Sequence, residues 1–344
     1  MGFMVEDGEA AIVGHVGRTG LRFARVDGEG QVDMESLCFH PAASSTSISG
    51  AIATFLRDQG LQGRAIRAAI AVAGLIRGDT ISVTHTRWFV SRPGLEAMLG
   101  HPPLLLNDFE AEAWAFAQAC QGDAAMARSG TWCIAGITSG LGVSVLRRDA
   151  GRTTVIATEA GHAAFSPPND DLAALVAEMF PGQHAVPAEL LISAPGLIAI
   201  YAALSAHAGQ SARLSDPKAI TAARKNDPLA ARACALLAQA FWGHLSNLVL
   251  AYGAWDGVIA TGGLALALQD LADQPDCVAT FTGKGKYARL LSEMPRRFER
   301  VEHGVLTGAA AALRSAAPPE RTTRAEVNAS AMVPTPALQR MRPV

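Results

Sequence analysis

The strongest constraint in this chain is a pattern that runs twice. A glycine-punctuated pair of short β-rich runs opens each series, and further β runs then alternate with alanine-rich helical stretches. The first series reads as strands at 10–14, 21–26, 68–73, 80–84 and 104–108, with helices at 49–59 and 110–121. The second reads as strands at 131–136, 142–148, 155–158, 257–261, 277–281 and 298–302. A long helix is capped by Asp227-Pro228 and extends to about residue 250, and a closing helix spans 304–315. Asp can accept from free N–H groups at a helix start, and Pro at the first helical position loses no needed donor. Strand–helix alternation of this kind predicts an α/β architecture with mixed sheets flanked by helices. The two series share a pattern but no short sequence repeat.

Length and composition agree with two domains. The 344 residues are 49% hydrophobic and 17% charged, with 29 Lys+Arg against 31 Asp+Glu. Such a balance predicts a folded chain and argues against a nucleic-acid partner, which would require a broad basic face. The most apolar stretch, 248–268, is broken by Asp256 and four glycines, so no membrane span is expected. The first residues are acidic and lack a signal-peptide pattern, which together with the scattered cysteines (Cys38, Cys120, Cys133, Cys234, Cys277) predicts a cytoplasmic protein without a disulfide framework. Beyond residue 316 periodicity vanishes, and 317–344 reads as a disordered tail.

Three glycine-rich turns stand out: 14–20 and 136–142, each between two strands, and Thr261-Gly262-Gly263 between a strand and a helix. Glycines let backbone N–H groups converge on an anion, although one such turn by itself is more often a hairpin requirement. Neither dinucleotide nor P-loop glycine spacing occurs in the right context.

In order along the chain, IVGHVGRTGLR (12–22), GDTISVTHTRW (78–88), LLLNDFEAEAWA (104–115), ITSGLGV (137–143), TEAGHAAFSP (158–167), PAELLISAPGL (187–197), DGVIATGGL (256–264) and GKGKY (283–287) resemble the ATP-dependent bacterial glucokinases of the actin-like ATPase superfamily. The resemblance implies the two-domain actin-like ATPase (ribonuclease H-like) fold, with a small domain of 1–109 plus 304–316 and a large one of 110–303. It implies ATP with Mg²⁺ and phosphoryl transfer to the 6-hydroxyl of glucose or a related hexose, and it implies a homodimer. By the same resemblance Asp108 is the general base, and Asn107, Glu159, His162 and Glu189 hold the sugar. Gly14, Gly17, Thr19, Thr138, Ser139, Gly140, Gly262 and Gly263 hold ATP, and no residue is assigned to the metal. Read locally, Asp108 could equally be a helix N-cap, and Glu189 a surface helix residue. No Cys-rich zinc motif of the related sugar kinases and repressors is present.

The first glycine turn departs from the family pattern Asp-x-Gly-Gly-Thr-Asn, because His15 replaces the acid and Arg18 the second glycine. His85 stands where Asn is usual, while Trp88 is kept, and Thr138 stands in place of a glycine. A neutral imidazole is a poor ligand for a hard cation. Two expectations follow: a kinase slowed but kept alive by Arg18, or a glucose-binding pseudokinase that has lost phosphoryl transfer.

Overall fold

The computed structural model describes residues 10–42, 47–84, 86–119 and 129–316. The acidic N-terminal residues, His85, Cys120, Gln121 and the 317–344 segment lie outside them.

The repeated pattern becomes two five-stranded sheets of one topology. In the first, β1 (Ala10–Gly17), β2 (Gly20–Val26) and β3 (Val32–Pro41) form an antiparallel meander. β4 (Ile66–Val72) pairs parallel to β1, and β7 (Leu104–Asn107) pairs parallel to β4, giving the order β3-β2-β1-β4-β7. A small hairpin, β5 (Thr80–Ser82) with β6 (Phe89–Ser91), lies in the chain between β4 and β7. In the second sheet, β8 (Gly130–Ile137), β9 (Leu141–Asp149) and β10 (Arg152–Thr158) repeat the meander. β11 (Gly257–Thr261) and β12 (Arg296–Phe298) then add in parallel, giving β10-β9-β8-β11-β12. All residues of β4 and β11 are buried, as expected for parallel strands covered on both faces.

Helices α1 (Ile48–Asp58), α2 (Arg92–Leu99) and α3 (Asp108–Ala119) belong to the first series. The second series supplies α4 (Asp170–Met179), α5 (Ala188–Leu191), α6 (Ala194–His207), α7 (Pro217–Ala223) and α8 (Pro228–Tyr252). It continues with α9 (Gly263–Ala267), α10 (Pro275–Thr282), α11 (Ala288–Ser292) and α12 (Gly304–Ser315). The Asp227 carboxylate accepts from the N–H groups of Leu229 and Ala230 and starts α8, which ends on Gly253 at φ 64°. By length and composition α8 could cross a membrane, but 83% of its most apolar window is buried inside the protein, so its hydrophobicity is that of a core helix.

Two expectations are corrected, and one strand is new. Residues 277–281 are helical within α10, not a strand. Pro275 occupies the first turn, and burial of Cys277, Thr280 and Phe281 follows a helical spacing. The strand expected at 298–302 ends at Phe298 and begins at Arg296, where β11 offers a parallel edge. β3, unmarked in the sequence reading, completes the first meander: its mostly part-exposed residues give little hydrophobic signal at a sheet edge.

Helix α3 carries the packing that matters for the site. Its Ala111 joins the cluster of α12 with the first sheet, including Val13, Ala69, Leu306 and Ala309. Its Ala113, Phe116 and Ala117 pack on Trp132, Ile134, Leu146 and Ile259 of the second sheet. Small residues allow this double contact. A Cβ on Gly308 of α12 would lie 1.6 Å from the carbonyl oxygen of Ala111.

Candidate functional site

Parallel pairing sends the C-terminal ends of β1, β4 and β7 to one edge of the first sheet, and loops beyond carboxyl ends of strands are where α/β folds place ligands. There, the β1–β2 hairpin turn and the β8–β9 hairpin turn border one cavity of about 300 Å³. From the first hairpin come His15, Gly17, Arg18 and Thr19; from the second come Thr138, Ser139 and Gly140. Asn107 and Asp108 enter from the β7–α3 junction, Glu159 and His162 from the segment after β10, and Glu189 from α5. Of the thirteen residues assigned from the resemblance, ten line this cavity: Gly17, Thr19, Asn107, Asp108, Thr138, Ser139, Gly140, Glu159, His162 and Glu189.

Gly14, Gly262 and Gly263 stand back from the lining. Gly14 is buried in β1, where a Cβ would lie 2.9 Å from the Phe23 ring. Gly262 has φ 86° and lets the β11–α9 turn close on β8, since a Cβ there would lie 2.5 Å from the Ile137 carbonyl oxygen.

The β7–α3 junction resolves the local ambiguity at Asp108. The helix cap is Asn107: its Oδ1 accepts from the N–H groups of Phe109 (2.8 Å) and Glu110 (3.3 Å). In return the Glu110 carboxylate accepts from the Asn107 N–H at 3.3 Å, a reciprocal capping box. The Asn107 amide also donates to the Gly74 carbonyl at 3.0 Å, tying β7 to the loop after β4. With Asn107 as the cap, Asp108 lines the cavity. Burial, with the Glu159 charge adding to it, pushes its carboxyl up to about 6, against smaller opposing effects of backbone N–H groups.

The second turn is held by its neighbours. Thr138 N–H donates to the Gly140 carbonyl at 2.9 Å, and the Thr138 carbonyl accepts from Ala194 N–H at 2.9 Å. One Glu189 oxygen accepts from the Leu141 N–H at 3.0 Å. A Cβ on Gly140 would come within 2.3 Å of that oxygen, so glycine is what lets the carboxylate approach. Gly136 and Gly142 are opposite one another across β8 and β9, and both would clash with the Phe109 ring if they carried a Cβ. Glycines legible as a phosphate-type turn therefore also seat an aromatic side chain from the start of α3.

Glu159 and His162 flank a single helical turn, their Oε2 and Nε2 atoms 3.8 Å apart, and both side chains are about half exposed. At the first hairpin His15 pairs across the strands with Arg22, and burial with the Arg22 charge lowers its imidazole to about 4. Its ring lies against Gly17, where a Cβ would be 2.8 Å from Nε2. That Nε2 is buried without a hydrogen-bond partner among the described residues. Among those residues no group of three or more His, Cys, Asp or Glu side chains could hold a metal ion.

Sequence reasoning passed over Gly74, Thr84, Phe109 and Thr158, which also line the cavity. Asn107-x-x-Glu110 carried a readable capping signal; the placement of Phe109 against two glycines of another sheet carried none.

A family model described as glucokinase matches residues 12–316. The chain is 33% identical to a glucokinase of Xanthomonas campestris pv. campestris over 324 residues, covering 90% of this chain and 96% of that one. Among solved structures, a glucokinase from an Antarctic psychrotroph superposes with a TM-score of 0.72 at 24% identity, covering 90% of this chain and 99% of that one. A glucokinase from Balamuthia mandrillaris, crystallised in complex with glucose, gives 0.73 at 18% identity and covers 91% and 96%.

Proposed function

Because the chain belongs to the glucokinase family, whose members are ATP-dependent hexose kinases, we propose that it transfers the γ-phosphoryl group of ATP to the 6-hydroxyl of glucose, with Asp108 as general base. The observation that carries this reading is the Asp108 carboxyl, lining the cavity and raised to about 6 while Asn107 caps α3. Such a group is ionised at neutral pH yet more basic than an ordinary carboxylate, the condition for accepting a hydroxyl proton.

The step balances simply. As the sugar O6 forms a bond to the γ-phosphorus, the bond from that phosphorus to the β-γ bridging oxygen breaks, and ADP departs with the electron pair. The O6 proton goes to Asp108 and from there to solvent. The transition state of such transfers is loose, so positioning contributes more than base strength. Glu159, His162 and Glu189 are hydrogen-bonding groups suited to an uncharged, hydroxyl-rich ligand, and a site built this way discriminates against sugars lacking a matching hydroxyl. Asn107 serves the sugar from a side chain that also caps α3 and holds Gly74. The turns at 17–19 and 138–140 serve the phosphates, with Gly14, Gly262 and Gly263 supporting from behind.

For Mg²⁺ the donor set does not fit a protein-held ion: the first hairpin offers an imidazole kept neutral, a guanidinium and a hydroxyl. A second reading, glucose binding without phosphoryl transfer, is favoured by that same hairpin. Division of the chain into 1–109 with 304–316 and 110–303 is consistent with one sheet in each part, and closure of the two on the sugar would exclude water. We also propose a cytoplasmic homodimer, testable by sedimentation.

The deciding experiment is a coupled assay of glucose 6-phosphate formation alongside calorimetric glucose titration. Asp108→Asn is expected to lower turnover by about 10²–10⁴-fold while glucose still binds. Wild-type protein that binds glucose but forms no glucose 6-phosphate would establish the second reading instead.

A further inference from the structure

We infer that the β1–β2 hairpin receives the nucleotide's phosphates as an uncomplexed polyanion, with Arg18 as counter-charge and no divalent cation held by the protein. The inference rests on the nucleotide reading above and concerns how that ligand is charged when it binds.

The hairpin presents His15, Arg18 and Thr19 to the cavity over Gly17, and no carboxylate. Arg18 is exposed at the tip, where its guanidinium can turn toward the cavity it lines. A guanidinium is permanently charged, and its forked donors match phosphate oxygens. Behind it, Arg22 lies over the Phe39 ring at 4.8 Å and opposite His15 in the strand register. Burial and this neighbouring cation keep the imidazole uncharged. His15 thus brings no anionic oxygen to a divalent ion, while its buried Nε2 lacks a partner among the described residues.

The other cavity carboxylates come from other elements: Asp108, the base of the proposed reaction, from the β7–α3 junction, Glu189, one oxygen of which accepts from the Leu141 N–H, from α5, and Glu159, 3.8 Å from His162, from the segment after β10. Mg²⁺ demands an octahedron of oxygens and is usually held through one or two carboxylates together with phosphates and water. Here the protein supplies a positive charge where such a carboxylate would be needed. A cation that enters does so on the phosphates, and the protein gains little affinity from it. Placing an acid at position 15 inverts the balance, because a carboxylate repels bare ATP and accepts it once a cation bridges the two.

The test is calorimetric titration of the full chain with ATP, in excess EDTA and in excess Mg²⁺, with a glucose titration in parallel. The wild-type dissociation constants are expected to agree within about threefold between the two media, a difference under 1 kcal/mol. His15→Asp is expected to weaken binding in EDTA by about tenfold or more and to recover in Mg²⁺. Arg18→Gly, an exposed position whose change leaves the fold intact, is expected to weaken binding in EDTA by about tenfold and less in Mg²⁺. Wild-type binding at least tenfold tighter in Mg²⁺ than in EDTA would overturn the inference and leave the kinase reading standing. Glucose binding without ATP binding in either medium would overturn both the inference and the nucleotide half of that reading.

Discussion

Two part-buried titratable side chains at the cavity pull stability in opposite pH directions. The Asp108 carboxyl titrates near 6 in the folded protein and near 3.8 when unfolded, so the fold disfavours its charged form. Its ionisation therefore costs stability progressively as pH rises from about 4 to 6, and the full cost, about 2–3 kcal/mol, is present above pH 6. Asp108→Asn should raise the melting temperature at pH 7.5 while abolishing most turnover, with the gain disappearing at pH 4. Thermal unfolding at both pH values checks this, and an unchanged melting temperature at pH 7.5 would refute the burial of that charge. For His15 the sign is reversed: folded near 4 and unfolded near 6.5, it leaves stability intact above pH 6.5 and removes it as pH falls toward 4. In the kinetics, the acid limb of kcat/KM should fall near pH 6. Glu159→Gln, by removing a neighbouring negative charge, should move that limb to lower pH.

At the scale of elements, the junctions decide more than the elements themselves. α3 starts where Asn107 and Glu110 cap each other's backbone donors, a pattern open to reading in Asn-Asp-Phe-Glu, yet Asp108 is as good a cap by residue type. Which of two adjacent capping residues turns to the helix depends on the Gly74 carbonyl, which takes the Asn107 amide. That partner is 33 residues away and invisible locally. The α3–α12 crossing has the same character. Gly308→Ala would drive a methyl group into the Ala111 carbonyl, so the helices must separate, and a loss of about 3 kcal/mol or more is expected. Urea denaturation measures it, and a loss under 1 kcal/mol would mean that the crossing is looser than described. Residues 277–281 teach the converse lesson. Five apolar or β-tolerant residues read as a strand, but the first-turn Pro275 and a core on one side made them a helix.

For the whole molecule, the repeated sheet order gives two hairpins whose turns can meet over one cavity. If the sugar reading holds, glucose binds the folded chain and not the unfolded one. Glucose at about 100 times its dissociation constant should then add about 2.7 kcal/mol of stability, a rise in melting temperature readable by calorimetry. No rise with glucose would count against the sugar site. The sequence by itself determined the α/β class, the doubled strand–helix pattern and the start of α8 at Asp227, because periodicity, caps and turns act over a few residues, whereas the site residues were expected only from the family resemblance. Tertiary structure alone decided that ten of the thirteen assigned residues share one cavity and that Asn107 caps so that Asp108 need not. It also decided that Gly136 and Gly142 make room for Phe109. The reason is physical: burial, steric room and the nearness of other charges are set by segments far apart in the chain, and those conditions raise the Asp108 carboxyl.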